Sequence, residues 1–439
     1  MIATGPGPFL HPVRPGRSLK SGVLIALNDG PADAVVARHL PHLVDDEVRP
    51  SPGIRGGQTS ADRALAGFSV AGYAARRSQV LPESARGASR LSPYIRHSLL
   101  PLGRVWEHVG GGPARDTRKF RDELLWQEYA RHLYARVGGA LHRNLRFAAP
   151  WAGEFEPEAW PQRMRCIESV VSELETDGWL VNQTRMWLAS QYTVRSGAGW
   201  HAGQEEFYRH LLDGSRAANL LGWQWTVGAG TGSPYGFARW QVEKRAPQLC
   251  RDCPLARACP IQEFPASAAV PPVTDAPANL TRDPQLSITR GPADVVRHRA
   301  ARSVLLTVDS LGDADPALIA HPALPVVFVF DEPALERLRL SSKRLIFTVE
   351  TLQDLARRRE VVVHLGDPRV IVPGLDAAVT SAPVPSFARY AEGAAELHPW
   401  PWLVEPHSGS VASFSAWRRA SAGVRAADES EDMARLDGL

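Results

Sequence analysis

The chain has 439 residues, of which 44% are hydrophobic and 22% charged, and its formal net charge is +3. These values are ordinary for a globular protein of two or three domains, and they exclude a uniformly basic nucleic-acid binder. No stretch of 18 apolar residues and no secretory apolar region is seen, so we expect a cytoplasmic protein without a membrane partner, and a monomer.

The first two segments differ in composition. Residues 1–55 are rich in Pro, Gly and Arg and predict an irregular arm, with one apolar patch, GVLIALNDG. Residues 56–264 predict a helical domain. TSADRALAGFSVAGYAARRSQ begins with a Ser/Thr cap and continues with apolar residues at three- and four-residue spacing, and further amphipathic helices follow in TRKFRDELLWQEYARHLYARVGG, IESVVSELETDGW and GQEEFYRHLLDGS.

The second half of the chain has a different pattern. Residues 265–301 form a proline-rich linker. In residues 302–420, the β-branched runs SVLLTVDS, LPVVFVFD and REVVVHLGDP, with the helical SSKRLIFTVETLQDLARR between the last two, predict a parallel α/β domain. Residues 421–439 predict a polar tail. The expected fold class is therefore α + α/β: an all-α domain followed by a Rossmann-like α/β domain.

The four cysteines are compatible with a single metal site. Cys250, Cys253 and Cys259 lie in CRDCPLARACP, and Cys166 lies far upstream. Three thiolates within ten residues can surround one centre, and a remote fourth can complete it. Zinc and iron–sulfur clusters both use four thiolates, and the spacing does not decide between them. Four buried free cysteines without a metal are the alternative.

Five segments, in order along the helical domain, resemble the DNA photolyase and cryptochrome family. They are GGQTSADRALAGF, GASRLSPYIRHSLL, ELLWQEYARHL, DGWLVNQTRM and DGSRAANLLGWQW. The α/β block resembles the antenna domain of the same family. In that family the α/β domain comes first, so the resemblance implies a circular permutation here. The four cysteines occupy places similar to those of the bacterial branch that carries a 4Fe–4S cluster, although the five-residue spacing before Cys259 is short for that branch.

The resemblance also implies the residues that hold the cofactor, FAD. They comprise a phosphate loop at a helix start, an Arg–Asp pair and an asparagine beside the isoalloxazine ring. The matching positions are Tyr73, Ser89, Leu91, Ser92, Arg185, Asp213, Ser215 and Asn219. Ala88 and Ser215 depart from the family, which has Thr and Asp there. Without the resemblance, an ordinary helix cap and a surface salt bridge would explain these residues.

Several tryptophans, among thirteen in the chain, match the family's electron-transfer relay. Trp223 matches the member next to the ring, Trp200 falls at the spacing of the second, and Trp151 is the candidate for the third. Indoles can relay an electron by short hops if they lie close together. Ordinary core packing is the alternative, since most tryptophans are buried for that reason.

The family's catalytic pocket, which receives a flipped-out base, is matched by Glu123, Trp126, Asn182 and Trp225. Two departures weaken the expected grip on DNA, because Gln183 and Gln127 replace arginines. The histidine that repair of six-four lesions requires as a proton donor is missing, since its position is occupied by Val181–Asn182.

The resemblance therefore implies an enzyme, a deoxyribodipyrimidine photolyase-type lyase. It would use blue light and FAD to split ultraviolet-induced pyrimidine dimers, with the cyclobutane type favoured, by passing an electron from reduced flavin to a flipped-out lesion in damaged DNA. A cryptochrome-like photoreceptor without repair activity is the alternative, and a flavin-free relic is the third hypothesis. The antenna pigment stays unassigned because TVDSLGDAD replaces the family's FRRDLR.

Overall fold

The structure is a computed structural model that describes residues 22–265 and 269–425. The start of the predicted arm and most of the predicted polar tail lie outside these residues. The described chain consists of a helical block followed by an α/β block, as the sequence predicted. Within the described part, no helix has both the length and the apolar character needed to cross a bilayer.

A short N-terminal unit precedes the helical block, and the helices vary widely in length. The N-terminal unit contains β1 (Val23–Ile25) and α1 (Ala32–His39). The helical block contains α2 (Gln58–Ala66), α3 (Tyr73–Arg76), α4 (Ser92–Arg96), α5 (Leu102–His108), α6 (Ala114–Val137), α7 (Arg165–Asp177), α8 (Asn182–Ser190), α9 (Trp200–His210), α10 (Arg216–Thr226), α11 (Arg239–Arg245) and α12 (Pro247–Arg251). Helix α6 is the longest of these and ends at a glycine, Gly138, as its sequence predicted.

The second block is built on one sheet. Its elements are α13 (Leu286–Arg290), β2 (Val296–Arg297), β3 (Ser303–Leu306), α14 (Pro316–Ala320), β4 (Val326–Asp331), α15 (Glu332–Leu338), α16 (Ser342–Ala356), β5 (Val361–Gly366), α17 (Pro368–Ile371), β6 (Ala377–Thr380), α18 (Ala388–Ala391), β7 (Glu396–His398) and α19 (Phe414–Arg425). The strand order is β1-β5-β4-β3-β6-β7-β2. The five central strands are parallel, and the order reverses between β3 and β6.

Two segments predicted to be irregular instead contain the edge strands. In the expected arm, β1 pairs antiparallel with β5, and α1 packs against α16. In the expected linker, β2 pairs antiparallel with β7. Strands of two or three residues carry too little pattern to be recognised locally, because a partner edge distant in sequence determines their conformation.

The N-terminus of α2 is capped by the α/β block and not by the predicted Ser/Thr residue. The cap position is Gly57, and Thr59 lies inside the helix. The Asp354 carboxylate on α16 accepts hydrogen bonds from the Thr59 amide at 3.1 Å and the Thr59 hydroxyl at 2.8 Å. A β-carbon on Gly57 would meet Asp354 Cβ at 2.8 Å, and its φ is +103°. Glycine therefore allows the two blocks to approach closely.

The chain returns from β7 to the helical block and lies along α6. The Glu128 carboxylate accepts hydrogen bonds from the backbone amides of Leu403 and Val404 at 2.6 and 3.1 Å. His132 Nε2 lies 2.8 Å from the Val404 carbonyl, while Nδ1 lies 3.0 Å from Trp417 Nε1, which donates to it. These contacts fix α19 against α6.

Candidate functional site

Arg185 and Asp213 form a bidentate ion pair in the helical block. The two guanidinium nitrogens lie 3.1 and 2.7 Å from the two carboxylate oxygens, in a bidentate arrangement. The Asp213 side chain is only 6% exposed. Arg185 Nε also donates to the Leu180 carbonyl at 3.1 Å. The Arg185 side chain is 25% exposed, so the pair is partly buried.

Ser215 and Asn219 lie at the start of α10, just after Asp213 in the chain. Ser215 is the N-cap of α10, and its hydroxyl accepts from the Ala218 amide at 3.4 Å. Asn219 Nδ2 donates to the backbone carbonyl and the side-chain oxygen of Gln204, at 2.7 and 3.1 Å. The resembled family has a carboxylate at this position. Here the Ser215 hydroxyl caps the N-terminus of α10.

The predicted phosphate loop lies at the start of α4. Leu91 is fully buried, and the Ser89 hydroxyl accepts from the Leu91 amide at 3.3 Å. Ser92 accepts a hydrogen bond from Trp179 Nε1 at 3.1 Å. Arg90 lies over the ring of Trp179, 4.9 Å from its centroid, and has a positive φ of 57°. Sequence reasoning missed Trp179, although it immediately follows Gly178 in a quoted motif.

The loop and the Arg–Asp pair are connected by short structural links. Trp179 donates to Ser92, and the next residue, Leu180, accepts from Arg185. In addition, the Gly214 carbonyl accepts from Arg96 Nε on α4 at 3.0 Å and from Arg344 Nη2 on α16 at 3.1 Å. The structure therefore brings together two groups of residues that are about a hundred positions apart in the chain.

The donors and acceptors in this region suit a flavin dinucleotide. Buried polar atoms without a partner include Arg90 Nε, in the predicted phosphate loop, and Trp223 Nε1, on α10. A guanidinium suits a pyrophosphate, and an Arg–Asp pair with an amide suits the polar edge of a ring. The two best-formed cavities of the described chain lie elsewhere; the larger, of about 220 Å³, is lined by Arg143, Asn144 and Asp275 among others.

Two of the three relay candidates lie on or against α9. Trp223 is buried, and its ring lies 5.0 Å from that of Phe207 and 5.9 Å from that of Tyr192. A β-carbon on Gly203 would meet the Trp223 ring at 2.3 Å, so Trp223 packs directly on α9. Trp200 is buried on the same helix, three residues before Gly203.

Trp151 belongs to the same neighbourhood. A β-carbon on Gly199, the residue before Trp200, would meet the backbone of Ala152 and Gly153 at 2.5–2.8 Å. The segment that carries Trp151 therefore touches the start of α9, and Trp151 is itself partly exposed. Trp223 and Trp200 are buried and Trp151 is partly exposed, which is the order expected of a path from the interior to the surface.

The four residues of the predicted lesion pocket lie in two groups. On α6, Glu123 forms ion pairs with Arg77 at 2.9 Å and Lys119 at 3.2 Å, and it contributes to raising the pKa of the Tyr73 phenol, which burial raises most. Trp126 stacks on Phe414 of α19, with centroids 4.1 Å apart and planes 12° from parallel. One face of Trp126 is therefore covered, which the sequence did not indicate.

The second group surrounds Tyr235. Trp225 is 38% exposed, and its ring lies 5.3 Å from that of Tyr235. Gln183 Nε2 donates to the Tyr235 hydroxyl at 3.1 Å. Asn182 is exposed at the start of α8, where its amide lies 3.9 Å from Met186 Sδ. The exposed indole and amides form a polar surface with an apolar patch.

Arg245 lies between the two groups. Burial lowers the pKa of Arg245 most, the charge of Tyr235 raises it, and the charge of Arg77 lowers it. Arg245 therefore lies within electrostatic range of both residues. Its Nε atom is buried without a partner. Arg77 and Arg245 are two cations that sequence reasoning missed, because the matched motifs exclude them. Arg77 pairs with Glu123, and Arg245 lies within electrostatic range of Tyr235.

The four cysteine thiols lie close together. Burial raises the pKa of the Cys166 thiol most, and the charges of Cys250, Cys259 and Cys253 raise it further. In the described chain, however, no cysteine belongs to a group of three or more ligand atoms within 4.8 Å of one another. Thiolates on a single tetrahedral zinc would lie about 3.8 Å apart, from a Zn–S bond of about 2.3 Å. The sulfur atoms are thus more widely spaced than a zinc site requires.

Two arginines provide positive charge beside the thiols. Cys259 and Cys166 act electrostatically on Arg195, whose pKa burial lowers, and Cys250 and Cys259 act on Arg239. Arg195 is held in place by backbone carbonyls, including that of Pro260 at 3.1 Å. Positive charge near four thiols favours their deprotonated, metal-binding form.

Comparisons with known proteins agree with this geometry. Residues 120–246 match a family described as the FAD-binding domain of DNA photolyase. A deoxyribodipyrimidine photo-lyase of Thermus thermophilus is 34% identical over 220 residues, which cover 48% of this chain and 50% of the relative. One from Synechococcus is 28% identical over 192 residues, covering 40% and 39%. The chain thus spans about half the length of the curated relatives it matches.

Among solved structures, a bacterial class III photolyase from Agrobacterium tumefaciens is 25% identical, with a TM-score of 0.38 and coverage of 44% of this chain and 43% of that one. The matched family spans α6 to α11, the helices that carry the Arg185–Asp213 pair, Asn219 and Trp223. This part of the chain is therefore similar to the FAD-binding domain of DNA photolyases.

Proposed function

We propose that this protein is a blue-light-driven, FAD-dependent photolyase that splits pyrimidine dimers, of the cyclobutane type, in ultraviolet-damaged DNA. The observation that carries the proposal is the bidentate Arg185–Asp213 pair, which lies, with Asn219 and Trp223, within a segment that matches the FAD-binding domain of DNA photolyase. Bound FAD would supply light absorption and one-electron chemistry, and the protein would supply position, electron supply and DNA binding.

The cofactor-binding roles follow from chemistry. Arg185 and Asp213 would hold the polar edge of the ring, with Asn219 turned from Gln204 toward it. Ser89, Ser92 and Arg90 would bind the pyrophosphate at the start of α4, next to Leu91, while Tyr73 would line the approach from α3. Ser215 would act through the helix end that it caps.

The lesion-binding roles are assigned to the Tyr235 surface and to α6. Trp225 is exposed and can stack on a flipped base, while Asn182 can hydrogen-bond to its edge. Glu123 would contact the lesion after exchanging its Arg77 partner. Arg77 and Arg245 would bind the phosphates flanking it, replacing the cations lost at Gln127 and Gln183.

The electron supply would run from the surface inward. Trp151, Trp200 and Trp223 would pass electrons toward the flavin across the contacts made by Gly199 and Gly203. Trp223 has no hydrogen-bond partner at Nε1, whereas Trp200 donates to Asn144 at 3.2 Å. A neighbouring acceptor stabilises an indole that becomes positively charged, so this difference favours leaving the charge on Trp200.

At the cysteines we propose a 4Fe–4S cluster bound by Cys166, Cys250, Cys253 and Cys259. The wide spacing of the thiols supports a cluster over a single zinc ion, while the positive charge of Arg195 and Arg239 favours the thiolates that either site needs. Iron and acid-labile sulfide analysis of anaerobically purified protein tests the assignment. We expect about four of each per chain in the wild type and loss of both in Cys250→Ser, whereas zinc bound through sulfur, and lost in Cys250→Ser in place of iron, would contradict it.

For the chain organisation we propose a circular permutation of the family's domain order, with domains near 56–264 and 302–420. An alignment that keeps residue order can match only one of two permuted domains to an unpermuted relative. The match to the Thermus relative covers 48% of this chain, as such an alignment would. The return of the chain from β7 to α6, ending in α19, places the end of the α/β block on the helical block.

A cryptochrome-like photoreceptor is the second candidate. The stacking of Phe414 on Trp126 favours it, because a base cannot occupy the same ring face. Purified protein, irradiated with blue light beside a thymine-dimer oligonucleotide, distinguishes the two. Light-dependent loss of dimers supports repair, and loss of that activity in Trp225→Ala with photoreduction unchanged assigns the pocket. Flavin photoreduction with intact dimers would contradict repair and leave the photoreceptor.

A further inference from the structure

A buried group of metal-ligating side chains lies in the α/β block, outside the site described above. His321 follows the end of α14, and Glu396 and His398 lie two residues apart on β7. One ligand atom from each lies within 4.8 Å of the other two. Glu396 and His398 are 6% and 3% exposed, and His321 is 24% exposed. Two histidines and one carboxylate form a donor set used by divalent transition metals.

The distances fit a single ion. Both imidazoles direct Nε2 at the same carboxylate oxygen, Glu396 Oε2, at 2.9 Å from His321 and 3.3 Å from His398. Ligands at about 2.0–2.1 Å from a tetrahedral zinc lie roughly 3.3 Å apart. The other oxygen, Oε1, lies 3.8 Å from Arg297 Nε. One oxygen is thus directed toward the imidazoles, and the other faces a cation.

The fold explains why the three groups converge. Side chains two residues apart on a strand point to the same side, so Glu396 and His398 share a face of β7. Helix α14 packs on β6 and β7 and ends at His321. The strand register and the end of the helix therefore bring one ligand atom of each residue close to the other two.

We propose that His321, Glu396 and His398 bind one divalent transition-metal ion, with Zn²⁺ the best fit, which joins the end of α14 to β7. The partly exposed His321 leaves a coordination position for water. Imidazole nitrogens argue against Mg²⁺ and Ca²⁺, which prefer oxygen ligands. The site is independent of the proposed repair function and lies in a different block from the four cysteines.

The test is the zinc content and coordination of the full-length protein after dialysis against micromolar ZnCl₂. We expect one zinc per chain by elemental analysis and, at the zinc X-ray absorption edge, a first shell of nitrogen and oxygen near 2.0 Å without sulfur near 2.3 Å. The absence of sulfur distinguishes this site from the cysteines, and neither flavin nor iron affects the zinc edge.

Three variants complete the experiment. His321→Gln and His398→Gln should each weaken zinc binding by at least the 10- to 100-fold that loss of an outer-shell partner costs. His42→Gln is the matched control, because His42 forms a similar but exposed group with Glu332 and Glu336. Since His398 is buried, circular dichroism checks its folding, and the partly exposed His321 provides the second variant. No bound zinc in the wild type, sulfur ligation, or equal binding in His321→Gln and His42→Gln would overturn the proposal.

Discussion

The cofactor half and the lesion half of the helical block are organised differently. At the cofactor half, Arg185 and Asp213 form a bidentate pair in which Asp213 is only 6% exposed, and Trp223 packs on α9. At the lesion half, Glu123 is paired with two cations and Trp126 is covered by Phe414. The first half is preorganised for its ligand, and the second must exchange partners before it can bind one. Flavin binding is therefore the firmer expectation, and dimer binding is the one that depends on rearrangement.

Breaking the cofactor half should have the largest effect. Asp213→Asn leaves the Arg185 guanidinium without its counter-charge, and we expect loss of about 2–4 kcal/mol of unfolding free energy together with the bound FAD. Urea unfolding and FAD content after extraction measure the two losses. Asp62→Asn is the control, because Asp62 and its partner Arg104 are 45% and 46% exposed and should matter by less than about 1 kcal/mol. Equal effects of the two variants would contradict the comparison.

We expect the packing of α19 against α6, which covers one face of Trp126, to weaken at low pH. Neutral His132 accepts from Trp417, and burial lowers its pKa to about 3. Because the unfolded pKa is about 6.5, the unfolded chain binds a proton that the folded chain lacks, and stability is lost as pH falls from about 6.5 toward about 3. We expect His132 to account for about 2 kcal/mol of stability lost between pH 7 and pH 5.

His132→Gln separates this effect from other titrating groups such as buried His97, whose pKa burial also lowers to about 3. Glutamine can still accept from Trp417 and donate to Val404, but it does not titrate in this range. The pH dependence of urea unfolding should therefore be shallower in the variant by about 2 kcal/mol over the same interval. Identical pH profiles would show that His132 does not hold α19 in this way.

Electron supply to the cofactor half should depend on Trp223 and not on Trp225. Trp223→Phe keeps the packing against Gly203 but removes an easily oxidised ring, so we expect at least a tenfold slower flavin photoreduction, about 1.4 kcal/mol of barrier. FAD content should not change. Trp225→Phe is the matched control from the same helix, and transient absorption after a blue flash measures both. Similar photoreduction in wild type and Trp223→Phe would place the electron path elsewhere.

Removing Phe414, which stacks on Trp126, tests whether this contact blocks the predicted lesion pocket. Phe414→Ala deletes a stacked aromatic pair worth about 0.5–1.5 kcal/mol beyond its buried area. If Phe414 blocks the pocket, the variant should bind dimer-containing DNA more tightly than the wild type in fluorescence anisotropy, with undamaged DNA as control. Weaker binding to damaged DNA by a folded variant would mean that Phe414 supports the pocket.

The smallest expected change restores one phosphate contact. Gln183→Arg adds a cation beside Tyr235, and we expect the salt dependence of DNA binding to steepen by about 0.9 in log–log slope. Gln183→Met controls for loss of the amide. An unchanged slope would indicate that position 183 faces away from the DNA backbone.

The sequence predicted those parts of the molecule that are determined locally. Helix α6 follows from its apolar spacing and its terminal glycines, and β4 follows from a run of β-branched and aromatic residues. Strands β1 and β2 are too short to be recognised without the sheet edges that they join. The cap of α2 is supplied by Asp354, almost 300 residues away, so no local pattern could predict it.

The candidate site likewise contains residues that local motifs predict and contacts that only the fold reveals. Arg185, Asp213 and Asn219 lie in motifs that can be compared residue by residue, and in the structure Arg185 pairs with Asp213 while Asn219 bonds to Gln204. The contact between Trp126 and Phe414 joins segments 288 positions apart and depends on how α19 packs, which no motif encodes. Arg245 lies outside every matched motif, so its position near Arg77 and Tyr235 becomes visible only in the fold.

The central claim is that the helical block retains a working flavin site. The most direct measurement is the molar ratio of FAD to protein in wild-type chain purified in the dark, determined by extraction and fluorescence against a protein standard. A ratio near one, falling sharply in Asp213→Asn, is the result expected from the interlocked Arg185–Asp213 pair. A folded protein that binds no FAD, even after incubation with excess cofactor, would contradict the claim.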